Sequence, residues 1–189
     1  MDARTPRQEA TRNQILGHAW ALTGEKGLTG WTLRELAEAV GMRAPSLYRY
    51  FRAKDEIFDA MFEESYRALL ALMASAPVPD EPRERLRAMA SGFFEFAVAD
   101  PARLQLMSWR VIPGFEPSPA SYAPSVQALE RTAELLTGIG ITDPDAVDVW
   151  SALLTGFVSQ QVSNDPGGDR WRRLLDGAVE MFADAHLPA

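Results

Sequence analysis

Cysteine is absent from this chain of 189 residues, which excludes disulfides and thiolate metal sites. Histidine occurs only at His18 and His186, too far apart in sequence for a local metal pair, so neither a metal nor another cofactor is expected. No run of about 18 apolar residues appears, so no membrane partner is expected. The polar opening MDARTPRQEATRNQ lacks the apolar core of a signal peptide, and a cytoplasmic protein is the expectation. The parts of a catalytic site are missing too: there is no G-x-S-x-G elbow, no H-E-x-x-H pair and no glycine-rich phosphate loop behind a strand. Glu63 and Glu64 are consecutive, point in different directions on a helix and read as solvated charge. The chain does not read as an enzyme.

Apolar residues make up 47% of it, enough for one compact helical unit or for a small domain plus a larger one. The net charge is −7, but unevenly spread. Residues 1–54 carry nine Lys and Arg against five Asp and Glu, whereas residues 55–189 carry ten against twenty-one. A basic head on an acidic body keeps attraction to phosphate local and discourages the other surfaces from adhering to a duplex.

Inside that head the stretch TLRELAEAVGMRAPSLYRYF, residues 32–51, reads as two short helices joined by a glycine turn. Thr32 and Glu35 have the spacing of a capping box, which closes two free backbone donors. Leu33, Leu36, Ala37 and Val40 follow at helical spacing. Gly41 supplies a permissive position after the helix end, and Pro45 sits where a first-turn residue needs no amide hydrogen. The second helix is expected to run to about Phe51, anchored by Leu47, Tyr50 and Phe51, with Arg43, Ala44, Ser46, Tyr48 and Arg49 outward. This is the outline of a helix-turn-helix, whose second helix fits the major groove of DNA. A solvated amphipathic hairpin is the plain alternative. The flanks count against it: Ile15, Leu16, Ala19, Trp20 and Leu22 form a stripe on a preceding helix, and Lys54 opens a following one. Three helices packed together can hold the outward one rigid.

The order Ile15-Leu16, Gly27, Thr32-Leu33, Leu36-Ala37, Val40-Gly41, Leu47-Tyr48, Tyr50-Phe51 and Lys54 resembles the tetracycline-repressor (TetR) family of bacterial regulators, over about residues 8–62. Two departures are visible. Arg43 stands where the family often has a small hydroxyl residue, which bears on base preference. Ala53 stands where a polar cap often precedes the lysine, so the fourth helix starts with less support, partly offset by Asp55 and Glu56 near its positive end.

Beyond the head, Glu81-Pro82, Asp100-Pro101, Glu116-Pro117, Asp143-Pro144 and Asp165-Pro166 each favour a break with proline near the start of a new helix. Helices are expected near residues 54–75, 82–99, 101–110, 121–137, 144–162 and 169–186, about nine with the head, and no strand. The division is a DNA-binding domain over residues 1–53 and a ligand-binding and dimerisation domain over residues 54–189. Phe93, Phe94, Phe96, Met107, Trp109, Phe115, Tyr122, Trp150 and Phe157 crowd the middle. They read as ordinary core or as the wall of an apolar cavity, with Gln105, Arg110, Gln160 and Gln161 as candidate polar groups. The proline-stiffened loop 112–119 reads as a cavity wall or lid, or as a passive connector.

The last two helices carry wide stripes, including Trp150, Leu154, Phe157 and Val158, then Trp171, Leu174, Leu175, Ala178 and Phe182. The resemblance implies that they pair with their twofold mates in a four-helix bundle. It also implies the rest of the reading: an all-α homodimeric transcriptional repressor, bound to a double-stranded DNA operator and released by a small apolar or amphipathic molecule. Arg43, Ser46 and Arg49 are candidates for base edges, with Ala44 and Pro45 on the same face. Thr32, Tyr48, Tyr50 and Lys54 are candidates for phosphates. A helical adaptor binding only protein is the rival, and it leaves the basic head unexplained.

Overall fold

Helix α2 (Leu33–Val40) begins where its capping residues dictate. The Thr32 hydroxyl accepts from the Glu35 amide at 3.2 Å, and the Glu35 carboxylate accepts from the Thr32 amide at 2.7 Å, so both halves of the capping box form. The helix ends at Gly41, whose φ of 74° is a left-handed conformation that only glycine adopts cheaply. Before it, a Cβ on Gly30 would lie 2.0 Å from the Lys26 carbonyl oxygen, so the loop folds tightly onto the end of α1 (Pro6–Lys26). Buried Trp31 secures the fold-back by donating its indole N–H to the Thr23 hydroxyl at 2.9 Å.

The computed structural model describes residues 6–188; the first five residues of the polar opening lie outside the described residues. Among them run nine helices and no strand. After α1 and α2 come α3 (Ala44–Leu47), α4 (Lys54–Ser75), α5 (Pro82–Ala99), α6 (Pro101–Ser108), α7 (Pro119–Thr137), α8 (Asp145–Asn164) and α9 (Arg172–His186).

Several boundaries differ from the sequence expectation. Helix α3 is one turn long rather than reaching Phe51, and residues 48–50 continue as turn, with the Phe51 amide bonded to Leu47 O at 3.0 Å. Arg12 finishes it from outside: its guanidinium donates to Tyr50 O at 3.0 Å and lies 3.9 Å from the Phe51 ring centroid. Glu81 and Asp100 do cap α5 and α6, accepting from first-turn amides. Glu116-Pro117 does not open α7, because Ser118 caps it and Pro119 takes the first position. Asp165-Pro166 opens a turn, and α9 starts only at Arg172.

Two apolar cores result. One joins α1, α2 and α3 to Ile57, Phe58, Ala60, Met61 and Phe62 of α4, with Leu106 and Ile112 at its edge. The other lies among α5, α7, α8 and α9 around Leu86, Phe94, Leu136, Trp150, Leu175 and Val179. Helix α4 is therefore shared. Its first two turns complete the core of the head, and its remainder packs along α7 in the body. Fully burying a side chain such as Phe58 contributes about 1.5–3 kcal/mol, so the head has a rigid floor.

Candidate nucleic-acid interface and ligand cavity

Leu47 and Phe51 are fully buried, which fixes how the α3 segment sits on the head. That orientation turns Arg43, Pro45, Tyr48 and Arg49 to solvent and leaves Ala44, Ser46 and Tyr50 half-buried beside them. Among the described residues no carboxylate pairs with Arg43, Arg49 or Arg52, whereas Lys26 and Arg34 are held by Glu35 and Glu38. Three uncommitted guanidinium groups on or beside one exposed helical turn form a positive surface suited to phosphate and base edges. Thr32 is exposed next to it, although its hydroxyl is already bonded to Glu35 at 2.8 Å.

Lys54 departs from the role read from sequence. Its ammonium turns inward, donating to Trp31 O at 2.6 Å and Thr29 O at 3.3 Å, and stands 4.0 Å from the Trp31 ring centroid. Burial lowers its pKa from the ordinary lysine value, against an upward pull from Glu35 and Asp55. The residue is a clasp between the start of α4 and the loop before α2. The buried Trp31, left out of the sequence reading, supplies both the carbonyl and the ring that draw the ammonium in. Sequence reasoning also missed Arg12 and Arg52. The surplus of basic residues in the head was their only signal.

A cavity of about 800 Å³ lies between α4, α5, α6, α7 and α8. Phe93, Phe96, Met107, Trp109, Phe115, Tyr122 and Trp150 line it together, as the aromatic crowding suggested. Phe94 and Phe157 do not. One residue on from Phe93, Phe94 is turned by about 100° into the second core, where it is 2% exposed. Phe157 sits on the α9 side of α8, edge-on to Trp171 at 6.1 Å. Of the four candidate polar groups only Arg110 reaches the cavity lining. Gln161 is buried and serves the α8–α9 turn, bonding Asp165 O and Gly168 O and accepting from the Trp171 amide. Loop 112–119 gives Ile112, Phe115, Glu116 and Pro117 to the wall, and so is more than a connector.

Three contacts tie this wall to the head. Arg103 lines the cavity, pairs with Asp100 at 3.2 Å and lies 4.9 Å over the ring of Trp20 on α1. Phe115 packs edge-on against Phe58 at 5.8 Å, and Tyr122 stacks on Phe62 at 6.2 Å. Asp59 joins α4 to the start of α7, accepting from the Ser118 amide at 2.6 Å and the Ser121 hydroxyl at 2.7 Å.

The expected dimer residues divide by face. Trp150, Leu154, Val158, Leu175 and Phe182 are enclosed by their own chain, so they are core rather than seam. Five residues of the two wide stripes thus belong to internal packing, α8 against α5 and α7, and α9 against α5 and α8. Leu174 is 51% exposed, and Phe157, Trp171 and Ala178 are half-buried. Met181, part of the α9 stripe in the sequence, and Val149, absent from both stripes, are 75% and 46% exposed, and nearby Ala152, Gly156 and Gly177 leave the backbone accessible.

Among the described residues no cluster of His, Asp or Glu could hold a metal, and no helix is long and apolar enough to cross a membrane. Residues 15–61, the head as far as the second turn of α4, match the bacterial regulatory proteins of the tetR family. The chain is 33% identical over 109 residues to the transcriptional regulator AcrR of Shigella flexneri, a match covering 56% of this chain and 51% of that protein. It thus spans about half the length of that relative. It is 29% identical to the Escherichia coli class A tetracycline repressor from transposon 1721, over 92% of this chain and 81% of the repressor. In fold it is similar to a tetR-family regulator of Streptomyces coelicolor, with a TM-score of 0.74 at 19% identity, covering 97% of this chain and 81% of the other. The head thus matches the bacterial regulatory proteins of the tetR family, and likeness in sequence to a tetracycline repressor and in fold to a tetR-family regulator runs on through the body.

Proposed function

We propose that this protein is a ligand-responsive transcriptional repressor acting in the cytoplasm, which binds a palindromic DNA operator as a homodimer and is released by a small apolar or amphipathic molecule. The observation that carries the reading is the sharing of α4: one rigid helix completes the core under α3 and forms a wall of the cavity. A guest that moves that wall moves the head. Head spacing decides whether two α3 segments meet successive major grooves about 34 Å apart. The contacts through Arg103–Trp20 and Phe115–Phe58 give such motion a physical route. The name of the tetracycline repressor, a relative over most of this chain, supports the repressor sign.

Pairing of the outer faces of α8 and α9 supports the homodimer, because Leu174, Met181 and Val149 expose apolar surface there beside small residues that permit close approach. Arg43, Ser46 and Arg49 are assigned to base edges, with Ala44 and Pro45 against the groove and Thr32, Tyr48 and Tyr50 beside the backbone. The test is selection of bound duplexes from a random library by the purified protein. Enrichment of a palindrome whose binding weakens as salt rises is the expected result. Failure to retain any duplex at low salt would leave the adaptor reading standing.

A further inference from the structure

The cavity wall holds few groups free to recognise a polar guest. Tyr66 donates to Met107 O, Thr132 to Ala128 O, Ser151 to Val147 O and Ser125 to Tyr122 O. Arg103 is closed by Asp100, and Arg110 lies on the rim, 92% exposed, with Glu116 at 3.8 Å. The Ser108, Tyr122 and Thr155 hydroxyls are neutral, and among the charged groups of the wall Arg85 is the exception. It is half-buried in the wall, and among the described residues no carboxylate pairs with it. Its Nε donates to Pro79 O at 2.8 Å, while its terminal nitrogens have no hydrogen-bond partner there. Nη1 lies 3.4 Å from where a Cβ of Gly138 would stand, at the electronegative end of α7, which holds the guanidinium in place without using its donors.

Arg85 also has a defined position along the cavity. The lining residues of α5 run from Arg85 through Met89, Phe93 and Phe96 to Asp100 at its end, a span of about 22 Å at 1.5 Å per residue. One end is therefore an unpaired, planar cation, and the body between is aromatic and thioether surface, which adapts to flexible apolar guests. Resting on the ligand-responsive reading above, we propose that the guest is a monoanionic amphiphile: a single carboxylate paired with Arg85 and a long apolar body laid along α5. A guanidinium matches a carboxylate bidentately, and the surrounding apolar wall strengthens the pair.

The test uses the full chain and two probes that differ only at the head, 12-bromododecanoate and 12-bromododecan-1-ol, whose bromine quenches Trp109 and Trp150 in the wall. At neutral pH the acid should bind at least about tenfold more tightly than the alcohol. Arg85→Gln should erase that preference while leaving alcohol binding nearly unchanged, which also shows that the variant folds. Arg85→Lys should restore part of the preference by keeping the charge without the planar fork. Equal binding of acid and alcohol by the unaltered protein, or equal loss of both in Arg85→Gln, overturns the carboxylate assignment and leaves the cavity reading intact. Absence of quenching by either probe counts against the cavity reading itself and removes this proposal with it.

Discussion

Glu35 stands at a junction of three bonds, accepting from the Thr32 amide and hydroxyl and from the Lys26 ammonium at 2.6 Å. The Lys26 bond, then those from Thr32, hold its carboxyl at a pKa of about 2, below the ordinary 4.5. Lowering in the folded state means that the contribution to stability is complete above pH 4.5 and is lost as pH falls from there towards 2. Glu35→Gln should remove that part of the acid dependence, so that melting temperature falls less steeply than in the unaltered protein between those limits. The group is exposed, so the difference should shrink in high salt. The arginines of α3 differ in kind. Arg43→Ala or Arg49→Ala should cost about 1–3 kcal/mol on the selected operator and relax its sequence preference. Lys54→Ala should instead lower stability by about 1–2 kcal/mol, because its bonds go to Trp31 O and Thr29 O. Thermal melting together with binding to operator and random duplex separates the two, and an unchanged melting temperature for Lys54→Ala would refute the clasp.

At the level of elements, what could be read in advance was whatever local chemistry decides. The capping box at Thr32, the left-handed Gly41 and the proline starts of α5 and α6 depend on neighbours in sequence, and the helices form there. The end of α3 was not legible, because it depends on Arg12, 38 residues away from Tyr50, and on the burial of Phe51. The seam was misread for a related reason. A stripe on α8 or α9 shows that a face is apolar but not which neighbour covers it. Periodicity could not tell Leu175, fully buried, from Leu174, 51% exposed. The distinction fixes how the dimer is tested. Leu174→Glu or Met181→Glu should yield folded monomers with weak operator binding, whereas Leu175→Glu should unfold the chain by burying an unpaired charge. Sedimentation and circular dichroism on the three variants check this. A folded dimer from Leu174→Glu and Met181→Glu combined would place the interface elsewhere.

Across the whole molecule the charge division, the two cores and the shared α4 point to one mechanical arrangement. The sequence made the basic head and the aromatic middle visible. It could not show that the middle encloses a void, since Phe93 and Phe94 are adjacent and identical in type yet face a cavity and a core. That difference selects the variant for testing coupling. Trp150→Ala would leave a hole beneath a side chain that is 2% exposed and cost about 3–5 kcal/mol, confusing ligand loss with unfolding. Phe93 is half-buried on the cavity side, so Phe93→Ala should change ligand affinity while the ligand-free protein still binds operator nearly as before. Linkage then supplies the decisive measurement. A ligand that favours the form with mismatched heads must weaken DNA binding by the same factor by which DNA weakens ligand binding, a coupling of about 1–3 kcal/mol. Titrating ligand with and without saturating operator, and operator with and without saturating ligand, should return one factor from both directions, and Phe93→Ala should leave that factor unchanged while shifting the ligand affinity on which it acts. If ligand binds yet both titrations return a factor of one, the cavity is uncoupled from the head, and α4 joins them in structure without transmitting anything between them.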